Sequence, residues 1–379
     1  MPPIRLGVIG LSARGWAAAG LIPPLLDPAL SDKYTITAIA TRSKASAQAS
    51  VARYSDLTGH NIKGYHGEDG AIDIANDPDV DLVVVSVKVP DHYNAAKPAI
   101  EAGKDIFLEW SPTRNLEEIL ELAEIAEAKG VRTIVGAQSS QGATTRTVKG
   151  LVESGKIGKV ISTNASLILP RETGLGGKTA IQQIAYALDN NSGATLLTMP
   201  VGHYLTNLSH VLGNIREVSA TSAIFYPDVQ IIDASGNPTG ETIKKTSPDQ
   251  IVITGILGGE HDGAIVTIHA QSGPSAARFL WFIDGEDGTI EVRNRLENGP
   301  FGVFATSNEM QVLLNNVEVE LDRREEDRLG NAGKAWLEYA KGNEGEYQTL
   351  DHSVAVWRVL DAALRSIALG GQKVPVISA

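Results

Sequence analysis

The sequence predicts an α/β protein: an N-terminal Rossmann dinucleotide-binding domain followed by an α+β domain with a large, mostly antiparallel open sheet. Three observations carry this. The chain opens on an apolar run, Ile4–Ile9, that turns at Gly10 and continues into a helix-prone stretch at Trp16. Apolar strands and amphipathic helices then alternate to about residue 140, the rhythm of βαβ units around a parallel sheet. From Gly142 onward, long strand-like runs follow one another, separated by turns such as Asp284–Gly288. The expected division is a dinucleotide domain over 1–140 and a second domain over 141–379, whose final helix is able to pack back on the first.

Taken in order, strand–turn–helix at the start is how a dinucleotide site opens, with free N–H groups and the helix dipole facing a pyrophosphate. Gly10 supplies the tight turn and Gly15 close packing, while Ser12 stands at the middle glycine position. Ala13, Arg14 and Trp16 complete the turn. The second strand, Tyr34–Ala40, ends at Thr41, Arg42, Ser43 and Lys44. NAD favours an acidic residue there, for its ribose hydroxyls; hydroxyls and positive charge instead suit the 2′-phosphate of NADP. The plainer alternative is a solvated helix start.

Helices are predicted over 45–54 and 69–76, with Asp77-Pro78 as a stop. The largely apolar run 80–87, continuous from Leu82 to Val85, reads as a strand buried on both faces. A helix over 95–102, a strand over 105–109, an amphipathic helix over 116–129 closed by Gly130, and a strand over 133–136 complete the first domain. The second domain is read as a helix at 143–154, strands at 160–169, 217–224, 250–257, 263–269, 277–283 and 289–292, and a helix near 196–212. Gly174–Gly177 reads as a flexible loop, Asp322–Arg328 as a solvated charged face, and 335–341 and 349–369 as helices. Trp336 and Trp357 are expected in the packing.

Composition narrows the function. The formal net charge of −12 argues against direct nucleic-acid binding. The absence of cysteine excludes disulfides and thiolate catalysis. His203 and His210, and His261 and His269, lack carboxylates at ligand spacing, so no metal site is expected. No run is long and apolar enough to span a membrane, and the chain enters a strand at once, so a cytoplasmic protein is expected.

Gly10–Gly15, Val83–His92, Phe107–Pro112 and Leu151–Gly158, in this order, resemble the glucose-fructose oxidoreductase / inositol dehydrogenase family of NAD(P)-dependent proteins. The resemblance covers nearly the whole chain. It implies a cofactor site that adds Ser86, Val87, Lys88, His92, Glu109 and Trp110 to the opening turn and to Thr41, Arg42 and Ser43. It also implies a homodimer through the second-domain sheet. At the family's Glu-Lys-Pro signature this chain has Glu109-Trp110-Ser111-Pro112; tryptophan cannot do the proton transfer implied for that lysine. With His203 aligned, Met199 stands at a family aspartate and Thr206 at a later acidic position. Within the family, Gly10-Leu-Ser, Val85–Pro90, Glu109-Trp110, Gly202-His203 and Lys244–Asp249 resemble the galactose-regulon repressor branch, which binds a nicotinamide dinucleotide and masks a transcriptional activator.

The candidate catalytic groups are His203, with an imidazole suited to proton exchange near neutral pH, Lys88 as a substitute for the missing lysine, and Tyr186. Tyr93, Lys178 and Asp189 are further candidate donors. The expected function is NADP-preferring hydride transfer to or from a sugar-like alcohol or carbonyl. The alternative is a non-catalytic, NAD(P)-binding transcriptional regulator that moves between nucleus and cytoplasm.

Overall fold

The computed structural model describes residues 2–13, 15–170, 177–273, 277–295 and 310–377. Arg14 and most of the Gly174–Gly177 loop lie outside the described residues. The chain forms two compact units: Met1–Gln141 with Glu326–Val354, and Gly142–Glu325 with Ala355–Ala379. The segment Glu326–Val354, read from sequence within the second domain, belongs to the first unit.

The first unit is built on β1 (Ile4–Ile9), β2 (Tyr34–Thr41), β3 (Lys63–His66), β4 (Leu82–Val85), β5 (Asp105–Glu109) and β6 (Thr133–Gly136). They form one parallel sheet in the order β3-β2-β1-β4-β5-β6. The order reverses between β1 and β4, which opens a crevice at their C-terminal ends where such folds bind ligands. All four residues of β4 are buried, as its unbroken apolar run predicts. Four α-helices connect the strands: α1 (Lys44–Thr58), α2 (Gly70–Asn76), α3 (Val89–Glu101) and α4 (Leu116–Lys129). Local chemistry sets their ends. Ser43 caps α1 by accepting the Ser46 N–H, and Asn115 caps α4 by accepting the Glu118 N–H at 2.9 Å. Gly130, at φ 64°, closes α4 in the left-handed conformation.

Two local expectations are corrected here and one strand is new. The segment after the opening turn is a five-residue π-helix, Ala17–Leu21, followed by a 3₁₀ turn, Pro23–Leu26. The Pro23-Pro24 pair removes two N–H donors and stops a longer helix. α3 begins at Val89 rather than at 95, because Pro90 falls in its first turn, where a missing N–H costs nothing. The short strand β3, Lys-Gly-Tyr-His, has no alternating apolar pattern and is invisible to periodicity.

The core of this unit closes around Trp336, from the helix Gly330–Ala340. Its ring stacks on Phe107, with centroids 4.6 Å apart, and meets Tyr34 edge-on at 5.2 Å. Its indole N–H donates to the Leu21 carbonyl at 3.0 Å, and Tyr34 donates back to the Trp336 carbonyl at 2.6 Å. Part of the charged run at 322–328 is more than a solvated face: Arg328 pairs with Asp27, and Asp327 with the buried Lys334.

The second unit contains α5 (Ala143–Glu153), β7 (Val160–Leu169), β8 (Thr179–Ile181), α6 (Gly202–Leu212), β9 (Ile215–Ala223), β10 (Asp228–Ile232), β11 (Pro238–Lys244), β12 (Gln250–Leu257), β13 (Ile265–Ser272), β14 (Arg278–Gly285), β15 (Thr289–Asn294), β16 (Met310–Leu314), β17 (Val317–Glu318) and β18 (Val374–Pro375). Nine strands make one sheet, β17-β16-β15-β14-β7-β13-β12-β9-β18, antiparallel except for the β13–β7 pair. Alternate residues such as Ile251, Ile253 and Leu257 are buried, while Val252, Thr254 and Ile256 on the opposite face are half-buried or exposed. A separate three-stranded sheet, β11-β10-β8, was not legible in sequence, because β11 is polar and almost wholly exposed. The helix predicted near 196–212 is present, but its first turn, Leu197–Val201, is a π-helix containing Pro200.

Candidate dinucleotide site

The opening turn is held by glycine for two separate reasons. Gly10 has φ +96°, a conformation that side chains rarely adopt. A Cβ there would also lie 2.2 Å from the Ser86 carbonyl oxygen and 2.9 Å from Val87 Cγ1. The turn therefore seats its bare backbone on the end of β4. Gly10 N–H bonds the Ala40 carbonyl and Ser86 N–H the Ile9 carbonyl, each at 2.9 Å, so the ends of β2, β1 and β4 are tied at one point. Ser12 N–H folds back to the Gly10 carbonyl at 2.8 Å, and a Cβ on Gly15 would press on Ser12 Oγ at 3.2 Å. No described turn residue, 10–13 or 15–16, is acidic. This geometry fits an anionic bridge lying on main chain. The expected helix dipole is weaker than the sequence implied, because five residues of π-helix align few peptides.

Beside the turn, Trp16 Nε1 donates to Glu109 Oε1 at 3.0 Å, although the two residues are 93 apart in sequence. Glu109 ends β5 and is buried, with Gln138 Nε2 at 3.4 Å from its carboxylate oxygens. A Cβ on Gly136 would sit 2.4 Å from Oε2, so β6 makes room for the carboxyl by ending in glycine. Burial pushes the Glu109 carboxyl up to about 7, against the pull of the Trp16 and Gln138 bonds. Gln138 and Gly136 were not candidates from sequence. Their only signal is position, at the C-terminal end of the neighbouring strand.

Trp110 is buried and the Trp110–Ser111 peptide is cis. His92, in α3, bridges two strand ends, with Nδ1 at 2.8 Å from the Ser111 carbonyl and Nε2 at 3.1 Å from the Val87 carbonyl. Burial lowers its pKa; the neutral imidazole has one N–H, which donates to one of these carbonyls, while its other nitrogen only packs against the second. Lys88 is exposed at the N-cap of α3. Tyr93 is not a pocket donor: its hydroxyl donates to Glu121 at 2.6 Å and accepts from Lys97 at 3.1 Å. At the end of β2, Thr41 is buried and its hydroxyl donates to the Ser43 carbonyl at 3.2 Å. Arg42, Ser43 and Lys44 are exposed around the start of α1.

In the second unit, His203 lies in the first turn of α6 and is buried. Burial drives its pKa down to about 3, which corrects the expected near-neutral titration; the imidazole is neutral at physiological pH. Thr206 bonds the His203 carbonyl at 2.7 Å and so serves the helix backbone. Met199 sits in the preceding π-turn. Tyr186 is half-buried in the 3₁₀ segment Gln182–Leu188, and Lys178 and Asp189 are exposed on either side of it. Among the described residues no group of three or more His, Asp or Glu is arranged to hold a metal ion. No helix among them is long and apolar enough to cross a membrane.

A parallel sheet with this strand order, a glycine turn bared at the switch point and a second open sheet define a two-domain protein of the dinucleotide-binding class. Residues 4–137 match the model of the oxidoreductase family with an NAD-binding Rossmann fold, and residues 144–294 match the Gal80p C-terminal domain. The dehydrogenase aclE of Aspergillus oryzae is 30% identical over 376 residues, 97% of each chain. The galactose/lactose metabolism regulatory protein GAL80 of Saccharomyces cerevisiae is 26% identical over 263 residues, 67% of this chain and 58% of that one. A dTDP-3,4-didehydro-2,6-dideoxy-α-D-glucose 3-reductase of Streptomyces violaceoruber is 25% identical over 76% of this chain and 79% of its own. Among solved structures, a super-repressor mutant of Gal80p from S. cerevisiae superposes with a TM-score of 0.82 at 20% identity, covering 99% of this chain and 98% of that one. Levoglucosan dehydrogenase in complex with NADH and L-sorbose gives 0.76 at 16% identity over the full length of both. The chain belongs to the Gfo/Idh/MocA oxidoreductase family and carries a second domain of the Gal80p type.

Proposed function

We propose that the protein is an NADP-preferring oxidoreductase acting on a sugar-like alcohol or carbonyl. The observation that carries this is the Gly10 turn, its backbone bared against Ser86 and joined through Trp16 to Glu109. In this reading the main chain at Gly10, Ser12, Ala13 and Gly15 holds the pyrophosphate. Thr41, Arg42 and Ser43 face the adenosine ribose, with the guanidinium on the 2′-phosphate. Ser86, Val87, Lys88, Glu109 and Trp110 surround the nicotinamide half, and His92 fixes the loops that carry them. The bound cofactor supplies hydride exchange at its nicotinamide ring. The candidate groups for the accompanying proton exchange are His203 and Tyr186 in the second unit and Lys88 in the first. The end-to-end match to a dehydrogenase supports this reading, as does the sugar-nucleotide reductase among the relatives.

The test is turnover. Purified protein with NADP or NADPH is offered a panel of sugars, sugar acids and ketones, and the nicotinamide absorbance is followed. At least one substrate is expected to turn over, with His203→Ala slowing it by about 10²–10⁴-fold. Tight cofactor binding without turnover across the panel overturns the enzyme. That outcome favours a second reading, which rests on Trp110 at the family lysine position and on the Gal80p-type domain: a cofactor-sensing regulator, for which a pull-down should recover a transcriptional activator.

Cofactor choice is tested separately. Arg42→Ala is expected to weaken NADP binding by on the order of tenfold or more and to leave NAD binding within about twofold, since one charge-assisted bond to the phosphate is removed. Equal NADP affinity in wild type and variant, by fluorescence titration, removes Arg42 from the site.

A further inference from the structure

Glu109 is a carboxyl in an unusual place. It sits at the C-terminal end of β5, in the half of the sheet beyond the switch point, where a dinucleotide in this fold lays its second nucleotide. The groups packed on it are neutral: the Trp16 indole from the opening turn, the Gln138 amide beyond β6, the bare Gly136 and the Trp110 main chain. A buried carboxylate normally comes with a cation, because taking a charge out of water is costly. Among the described residues the hydrogen bonds are supplied but no cation is. The oxidised nicotinamide ring carries a positive charge and the reduced ring carries none.

We infer that the charge on Glu109 discriminates the oxidised from the reduced form of the dinucleotide, a proposal that rests on the dinucleotide-binding reading above. Binding the oxidised form expels one proton from the Glu109 carboxyl to solvent and leaves a carboxylate beside a cationic ring. Binding the reduced form leaves the carboxyl protonated and neutral. Because the carboxyl titrates near neutral pH, the ratio of the two affinities follows the pH of the surroundings. Trp16 sets the balance, since its N–H stabilises the carboxylate and links the pyrophosphate turn to the nicotinamide end.

The experiment is calorimetric titration of the whole protein with NADP⁺ and with NADPH at pH 6 and pH 8, in buffers of differing ionisation enthalpy. Taking the ratio of Kd values cancels the 2′-phosphate, which both forms carry. In wild type the preference for NADP⁺ over NADPH is expected to rise by on the order of tenfold from pH 6 to pH 8, with net proton release on NADP⁺ binding at the lower pH. Glu109→Gln is expected to bind both forms, release no proton and give a pH-independent ratio shifted toward NADPH. Trp16→Phe keeps the carboxyl but loses its donor, so the midpoint of the pH dependence should move upward. A wild-type ratio flat to within twofold overturns the inference, as does a pH dependence that survives in Glu109→Gln. If Glu109→Gln does not fold, an unmoved midpoint in Trp16→Phe overturns it. Failure of wild type to bind either form overturns the dinucleotide reading itself, a distinct result.

Discussion

Lys245→Met is expected to destabilise the protein by about 3–5 kcal/mol, because it leaves a carboxylate buried without its cation. Lys245 and Asp249 form an ion pair whose side chains are both 0% exposed. Asp249 is held a second time, by the N–H groups of Phe225 at 2.6 Å and Tyr226 at 3.0 Å. Burial lowers the Lys245 pKa, against the pull of Asp249. Removing the lysine alone thus strands a charge, whereas Lys245→Met with Asp249→Asn keeps an acceptor for the two N–H groups and removes both charges. The double variant should recover most of the loss, and urea unfolding midpoints measure the cycle. A cost under about 1 kcal/mol for Lys245→Met would show that water reaches the pair. The same segment clasps Leu188, whose carbonyl accepts the N–H groups of Thr246 and Ser247, so loosening it should also loosen the turn that carries Tyr186.

A second large effect lies in the pH dependence of stability, where two buried groups act in opposite directions. His203 falls from 6.5 to about 3 on folding. Between those values the unfolded chain binds more protons, so this group makes stability rise with pH, by about 2–3 kcal/mol from pH 4 to pH 6. Glu109 rises from 4.5 to about 7 on folding. Its folded form binds more protons in that window, so its contribution is complete below pH 4.5 and is lost as pH rises through 7, by about 2 kcal/mol from pH 5 to pH 7. The slopes nearly cancel from pH 4.5 to 6.5. His203→Asn should expose the falling slope and Glu109→Gln the rising one, whatever each substitution does to absolute stability. Parallel pH profiles for wild type and both variants would refute the assignment.

What the sequence made legible follows from which interactions are local. The buried run of β4, the capped helices α1 and α4 and the bare turn at Gly10 are written in short-range patterns of apolarity, capping residues and glycine. The Glu109–Trp16 bond spans 93 residues, and the pocket that Gly136 opens depends on strand register; neither has a local signature. The titration of His203 is illegible for the same reason, since a histidine's burial is set by what packs over it. The hairpin of β10 and β11 has little local signature: β11 is polar and almost wholly exposed, and β10 alternates, with Val229 and Ile231 buried, over only five residues. Tyr93 is a candidate donor in the sequence but bonds Glu121, a partner on the following helix that no local pattern marks.

The return of Glu326–Val354 to the first unit bears on how the protein is made. A nascent chain that has emerged through Gln141 contains every strand of the Rossmann sheet but not Trp336, so Phe107 and Tyr34 have lost their stacking partner and the Leu21 carbonyl its donor. The unit that carries the glycine turn is therefore finished only after Gly142–Glu325 of the second unit has been translated. On the ribosome the segment made first must wait for a late segment to complete its native core, and the second unit is completed in turn only by Ala355–Ala379.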